Sequence, residues 1–139
     1  MPNLRSLYKT DQTKEEEGVW IDFGNGIKLR IARLGNPKYN AYLRRIGKPH
    51  QMSIRNGSAS QATVEDLTIR AIAKHVLLGW EGVDEDNELV PYTEEKALEY
   101  LRTMRDFYQQ VLELSSDANQ FREEELKEEE GNSDDGSDG

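Results

Sequence analysis

Four carboxylates near the middle of the chain stand at a spacing that metal chemistry would use. Counted from Asp84, side-chain oxygens fall at the first, third and fifth places (Asp84, Asp86, Glu88), and Glu95 falls at the twelfth. That is the ligand pattern of a helix–loop–helix calcium site, in which a loop wraps the ion and a last glutamate closes it. The sixth place is Leu89, where the sharp turn wants glycine, and Pro91 stiffens the part that would have to curl. The spacing is that of a calcium loop, but the residues between the ligands are not.

Acid–base chemistry fits less well. A catalytic carboxylate or imidazole needs a dry cleft that tunes its pKa, and these acids crowd a polar turn. His75 lies between Ala71 and Leu78 on a helical pattern and reads as a buried or half-buried, hydrogen-bonded side chain. His50 follows Pro49 with no ligand partner beside it, and cysteine is absent, which removes disulfides and thiolate metal sites. No nucleophile elbow or phosphate-cradling glycine loop accompanies the serines. We therefore expect no enzyme, no metal and no cofactor. The structural alternative for Gly79 to Tyr92, "GWEGVDEDNELVPY", is a corner. Gly79 would end a helix, Trp80 would pack back as an apolar plug, and the acids would solvate the turn. Val90 and Tyr92 would re-enter the core before Thr93 caps the next helix.

Charge supplies a second candidate. The formal net charge of −9 comes in blocks. Residues 27–55 carry Lys28, Arg30, Arg33, Lys38, Arg44, Arg45, Lys48 and Arg55 with no acid, whereas 123–139 hold nine acids against Lys127. Tyr39 and Tyr42 interleave with the cations, as on a surface that holds phosphates and stacks bases. An acidic chain whose own tail competes for that surface argues against nucleic acid. It leaves solvated charge, or a protein partner that includes an acidic segment of a neighbouring copy.

Few elements are needed to position these residues. A length of 139 fits one domain. No run approaches the roughly 18 apolar residues of a membrane span, and "MPNLRSLYKTDQTKEEEG" lacks the apolar core of a signal peptide. Residues 1–17 read as a flexible arm, 18–125 as a single globular domain and 126–139 as a disordered acidic tail. "VWIDFGNGIKLRIARL" alternates on both sides of Gly24-Asn25-Gly26 and predicts a hairpin over 18–34, with Lys28 and Arg30 on its wetter face. Asn36 and Pro37 start a helix over about 37–47, and 50–60 read as a flexible connection. Apolar periodicity predicts a central helix over about 62–79. Further helices fall over about 94–115, broken near Thr103–Asp106, and about 117–128, anchored by Phe121. The expected class is α+β, predominantly α-helical, with an N-terminal β-hairpin packed on a small helical bundle.

Several strings then resemble one family. A helix runs into Gly79-Trp80-Glu81-Gly82-Val83 and an acidic loop, followed by Val90-Pro91-Tyr92-Thr93, a leucine-bearing helix, Arg105-Asp106-Phe107, and a close from Asn119 to Phe121. This order, together with "IARLGNPKYNAYLRR" upstream, is similar to the tail assembly chaperones of long, non-contractile-tailed (lambda-like) phages over about residues 18–125. The resemblance implies a non-enzymatic protein that binds the tape-measure protein, keeps it soluble, helps recruit the major tail protein and leaves before the virion is complete. Its place would be the host cytoplasm, and it would be absent from the mature virion. It carries no catalytic residues to transfer. Arg44, Arg45, Trp80, Tyr92 and Phe107 are the candidate partner-binding side chains, with self-association open and neither nucleic acid nor membrane expected. Competing readings are an acidic nucleic-acid mimic or regulator acting through 123–139, a calcium-modulated module, and another phage tail component such as a tube-joining protein.

Overall fold

The computed structural model describes residues 3–123. Its N-terminal segment is helical where a flexible arm was expected. Helix α1 (Leu4–Tyr8) is capped by Asn3, and α2 (Gln12–Glu17) by Asp11, whose carboxylate accepts from the Thr13 and Lys14 N–H groups. Helices this short do not stand alone in water; this segment is held by the rest of the chain. The Asp11 N–H donates to the Phe121 carbonyl (2.8 Å), the Arg33 N–H to the Glu15 carbonyl (2.8 Å), and Thr10 bridges Arg122.

The hairpin forms as the alternation requires. Strand β1 (Val19–Gly24) turns through Asn25 (φ 56°) and Gly26 (φ 80°) into β2 (Ile27–Ile31), with Ile21 opposite Leu29 and Val19 opposite Ile31. Helix α3 (Pro37–Gly47) starts at Asn36, whose side-chain oxygen accepts from the Tyr39 N–H (3.0 Å). The first half of the expected flexible connection at 50–60 is instead helical: a 3-10 turn (Lys48–His50) leads straight into α4 (Gln51–Arg55), and only 56–60 are turn and irregular backbone.

The central helix α5 (Gln61–His75) begins at the Ser60 cap and buries Leu67, Ile69, Ala71, Ile72 and Ala73. It ends at His75, four residues before the predicted limit at 79. The chain then enters β3 (Leu77–Glu81), which pairs antiparallel with β2, Leu29 opposite Trp80, to complete a sheet of order β1-β2-β3. Two facts favour the strand. Continued as helix, Leu77 would fall on the polar stripe of Asp66, Arg70 and Lys74. The free edge of β2 also needs backbone partners, and the Val76 carbonyl already accepts from the Ala32 N–H (2.8 Å). Trp80 is therefore a strand residue rather than a plug after a helix.

The acidic segment is a second hairpin, β4 (Asp84–Glu85) and β5 (Glu88–Leu89), turned by Asp86 (φ 50°) and Asn87 (φ 67°). Thr93 caps α6 (Glu94–Thr103); the helix breaks at Met104 (φ −118°, ψ 91°) and resumes as α7 (Arg105–Ser116). Of the helix expected at 117–128, residues Ala118–Phe121 form a 3-10 turn and the chain then leaves helix, Arg122 bridging Thr10; residues 124–128, like the tail at 126–139, lie beyond the described residues. The core joins Leu29 and Ile31 of the sheet to Ile72 and Val76 at the end of α5, Leu101 of α6 and Val111 of α7, all 1 % exposed or less. The architecture is α+β, a hairpin-based antiparallel sheet packed on helices. Among the described residues no helix is long and apolar enough to cross a membrane.

Candidate partner-binding surfaces

The aromatic residues singled out from the sequence come together, and mostly inward. Trp80 is 6 % exposed; its indole N–H donates to the Val90 carbonyl (2.8 Å), its ring stacks on Tyr100 (5.4 Å) and meets Tyr92 edge-on (5.0 Å). The Tyr92 hydroxyl donates to the Leu77 carbonyl (2.7 Å), tying the start of α6 to β3, and burial, with Glu94 adding, pushes its pKa up to about 12. Phe107 packs edge-on to Phe23 (6.0 Å) and Tyr100 (6.4 Å). Tyr100, which the sequence did not single out, links these rings to the acidic hairpin. Its hydroxyl donates to Glu85 Oε1 (2.6 Å); desolvation first, then that bond, lifts its pKa to about 12. The same hydrogen bond, with Lys96 nearby, holds the Glu85 carboxyl below its ordinary range.

The hairpin also settles the geometry of the spaced carboxylates. Successive strand residues face opposite ways, and Asp84 pairs with Leu89 rather than turning towards Glu88. Among the described residues no three His, Asp or Glu side chains gather at a metal-sized point. What this region does offer is an apolar cleft of about 130 Å³ between β2 and α7, lined by Phe23, Leu29, Trp80, Tyr100, Met104 and Phe107, with Met104 41 % exposed.

The basic block forms a separate surface along α3 and α4. Arg44, Gly47, Lys48, Gln51, Ile54 and Arg55 line an open groove of about 380 Å³. Arg45 faces away from it, with its guanidinium 5.2 Å from the Tyr42 ring centre. Lys38, Ala41, Tyr42, Arg45 and His75 line a second basin of about 320 Å³. His75 is half-buried as expected, but its ring meets Tyr42 edge-on (5.5 Å) where a hydrogen bond was anticipated. Desolvation, then the cations Lys74, Lys38 and Arg45, lower its pKa against a smaller opposing effect of Glu94.

Several other cations are paired. Arg102 grips Asp66 through two bonds (2.8 and 3.1 Å), Arg105 meets Glu65 (3.4 Å), Lys74 meets Glu94 (3.2 Å), Lys96 meets Glu99 (2.9 Å), and Arg33 meets Glu15. The Arg44, Lys48 and Arg55 side chains have no ion pair or hydrogen bond among the described residues. Composition disclosed a segment without acids; only the fold shows that Glu15 reaches Arg33 while no acid among the described residues pairs with Arg44, Lys48 or Arg55.

Fold and surface together define a small α+β protein with a small apolar cleft beside the aromatic cluster and open depressions along the basic helices. The chain matches the family model described as YdaY prophage protein over residues 34–132, more than half its length, and it belongs to that family. It is thus phage-derived. The match begins just after β2 and takes in α3 through the last 3-10 turn, including the basic groove and the aromatic cluster. No curated protein and no solved structure matches the chain.

Proposed function

We propose that this protein is a tail assembly chaperone of a long-tailed phage: it binds the tape-measure protein, holds that long chain soluble and promotes assembly of the tail tube with the major tail protein. The observation that carries the proposal is the ordered set of strings Gly79-Trp80, Val90-Pro91-Tyr92-Thr93, Arg105-Asp106-Phe107 and Asn119 to Phe121. Membership of a prophage family supports the setting. The packing gives these strings a physical sense. Trp80, Val90, Tyr92 and Phe107 are joined by hydrogen bonds and ring contacts into one cluster, so they secure the scaffold on which exposed surfaces are presented. A chaperone of this kind needs docking surfaces and no chemistry. It would act in the host cytoplasm and leave before the virion is complete.

The test is co-expression with the tape-measure protein of the same genome, followed by a pull-down at moderate salt. Retention of the client in the soluble fraction by this chain is the expected result. An insoluble client with nothing retained sinks the proposal and moves the tube-component and acidic-mimic readings ahead.

A further inference from the structure

The groove on α3 and α4 is built by one continuous helical stripe. Residues 44, 47, 48, 51, 54 and 55 recur at three- and four-residue spacing, and all six line one groove across the 3-10 turn at Lys48–His50. Such a stripe is what a helix normally turns towards a neighbour, yet among the described residues no other element lines this groove. At its centre is Gly47, in right-handed helical conformation (φ −78°, ψ −17°), with nothing within 4 Å of where a Cβ would stand. Glycine is a poor helix former, and neither a positive φ nor a crowded neighbour requires it here. What it does create is a dent where another backbone can approach closely.

The rim and floor specify what fits. Arg44, Lys48 and Arg55 supply unpaired charge; Ile54 (43 % exposed), the alkyl stems of the cations and neighbouring Met52 (79 % exposed) supply apolar surface. We propose that this groove docks an amphipathic helix of a partner protein, with an apolar stripe seated over Gly47 and acidic residues along its flanks. Helix-in-groove recognition anchors such a ligand through its apolar stripe, and charged flanks set its orientation. Nucleic acid would satisfy the cations but leave Ile54, Met52 and the glycine dent without a use. A second copy offering the same stripe would set like charges face to face. The proposal deepens the chaperone reading and rests on it only in naming the tape-measure protein as the source of the helix.

The decisive experiment titrates the full chain into a fluorescent helical peptide of about 20 residues, with leucine on one stripe and glutamate on its flanks. Lysine-flanked peptide, single-stranded DNA and the protein's own self-association are measured alongside. The glutamate peptide is expected to bind, more weakly as salt rises. Gly47→Leu fills the dent and should weaken binding about ten-fold or more without lowering the melting temperature. The double variant Arg44→Gln/Arg55→Gln should also weaken it. The proposal is overturned if the glutamate peptide does not bind, if the lysine-flanked peptide or DNA binds as well, if self-association occupies the groove, or if either variant binds like the wild type. In co-expression, client retained by the wild type and lost with Gly47→Leu extends the proposal to the tape-measure protein. Client retained by both removes the tape-measure protein as the source of the helix and leaves the chaperone intact, the peptide titration deciding the groove. Client retained by neither removes the chaperone reading, and the peptide titration still decides the groove.

Discussion

Gly82→Ala is the substitution whose effect can be worked most directly from the structure. Gly82 has φ +76°, and a Cβ built on its backbone would lie 2.1 Å from the carbonyl oxygen of Gly26 and 3.0 Å from its carbon. The oxygen belongs to the β1–β2 turn, so relief requires backbone movement rather than rotation of a flexible side chain. A left-handed non-glycine residue costs about 1–2 kcal/mol, and forcing about 1 Å of separation between packed backbones adds about 1–3 kcal/mol. The sum, about 2–5 kcal/mol, is a large share of the roughly 5–15 kcal/mol that holds a domain folded. At about 3–5 °C per kcal/mol for a chain of this size, the melting temperature should fall by about 6–25 °C. Gly35→Ala is the control: φ is +85° but nothing lies within 4 Å of the new carbon, so only the conformational cost of about 1–2 kcal/mol remains. Urea and thermal unfolding followed by circular dichroism measure both. Equal losses in the two variants would mean that the close approach of Gly82 to the turn is absent, and would refute the reasoning.

Three further outcomes follow from the cluster and from His75. Trp80→Ala should lose about 3–5 kcal/mol, because it empties the space between Tyr92 and Tyr100; a urea midpoint unchanged from wild type would place Trp80 at the surface after all. Tyr92→Phe keeps the ring and strips the Leu77 carbonyl of its donor, for a loss of about 1–3 kcal/mol, read from the same unfolding curves. A loss near zero would leave that hydrogen bond without weight. His75 titrates lower in the folded chain than its ordinary value of 6.5, so the unfolded state binds the proton more readily. Its contribution is intact above about pH 6.5 and declines as pH falls through that value towards the folded pKa. The stability difference between wild type and His75→Gln, followed from about pH 7 to 5, should therefore shift against the wild type; a flat difference would remove His75 as the source.

Local physics was written in single residues and their near neighbours. Period-two alternation around Asn25-Gly26 specifies the β1–β2 hairpin, because only one face of each strand is apolar. Asn36 with Pro37, and Thr93, specify helix starts by supplying an acceptor to N–H groups that a helix leaves unpaired. The absence of acids from 27 to 55 marked the basic surface. Other features depend on contacts that no short window contains. Val76 to Trp80 is apolar enough to be helix or strand, and the choice falls to strand because β2 presents an open edge from a distant part of the chain; the one local hint is Leu77 falling out of phase. Helices α1 and α2 are too short to persist alone and are fixed by Phe121 and Arg122 near the far end. The Asn36 amide that caps α3 also donates to the His75 carbonyl (3.1 Å) at the end of α5, a link that only packing creates. The calcium-like spacing is a distance along the chain, and the left-handed turn at Asp86 and Asn87 folds the segment into a tight hairpin. Likewise the charge of the α3–α4 groove was legible, but its lack of partners was not. Ion pairs form where side chains meet in space, and Glu65, Asp66, Glu94 and Glu99 meet the cations of α5, α6 and α7 instead.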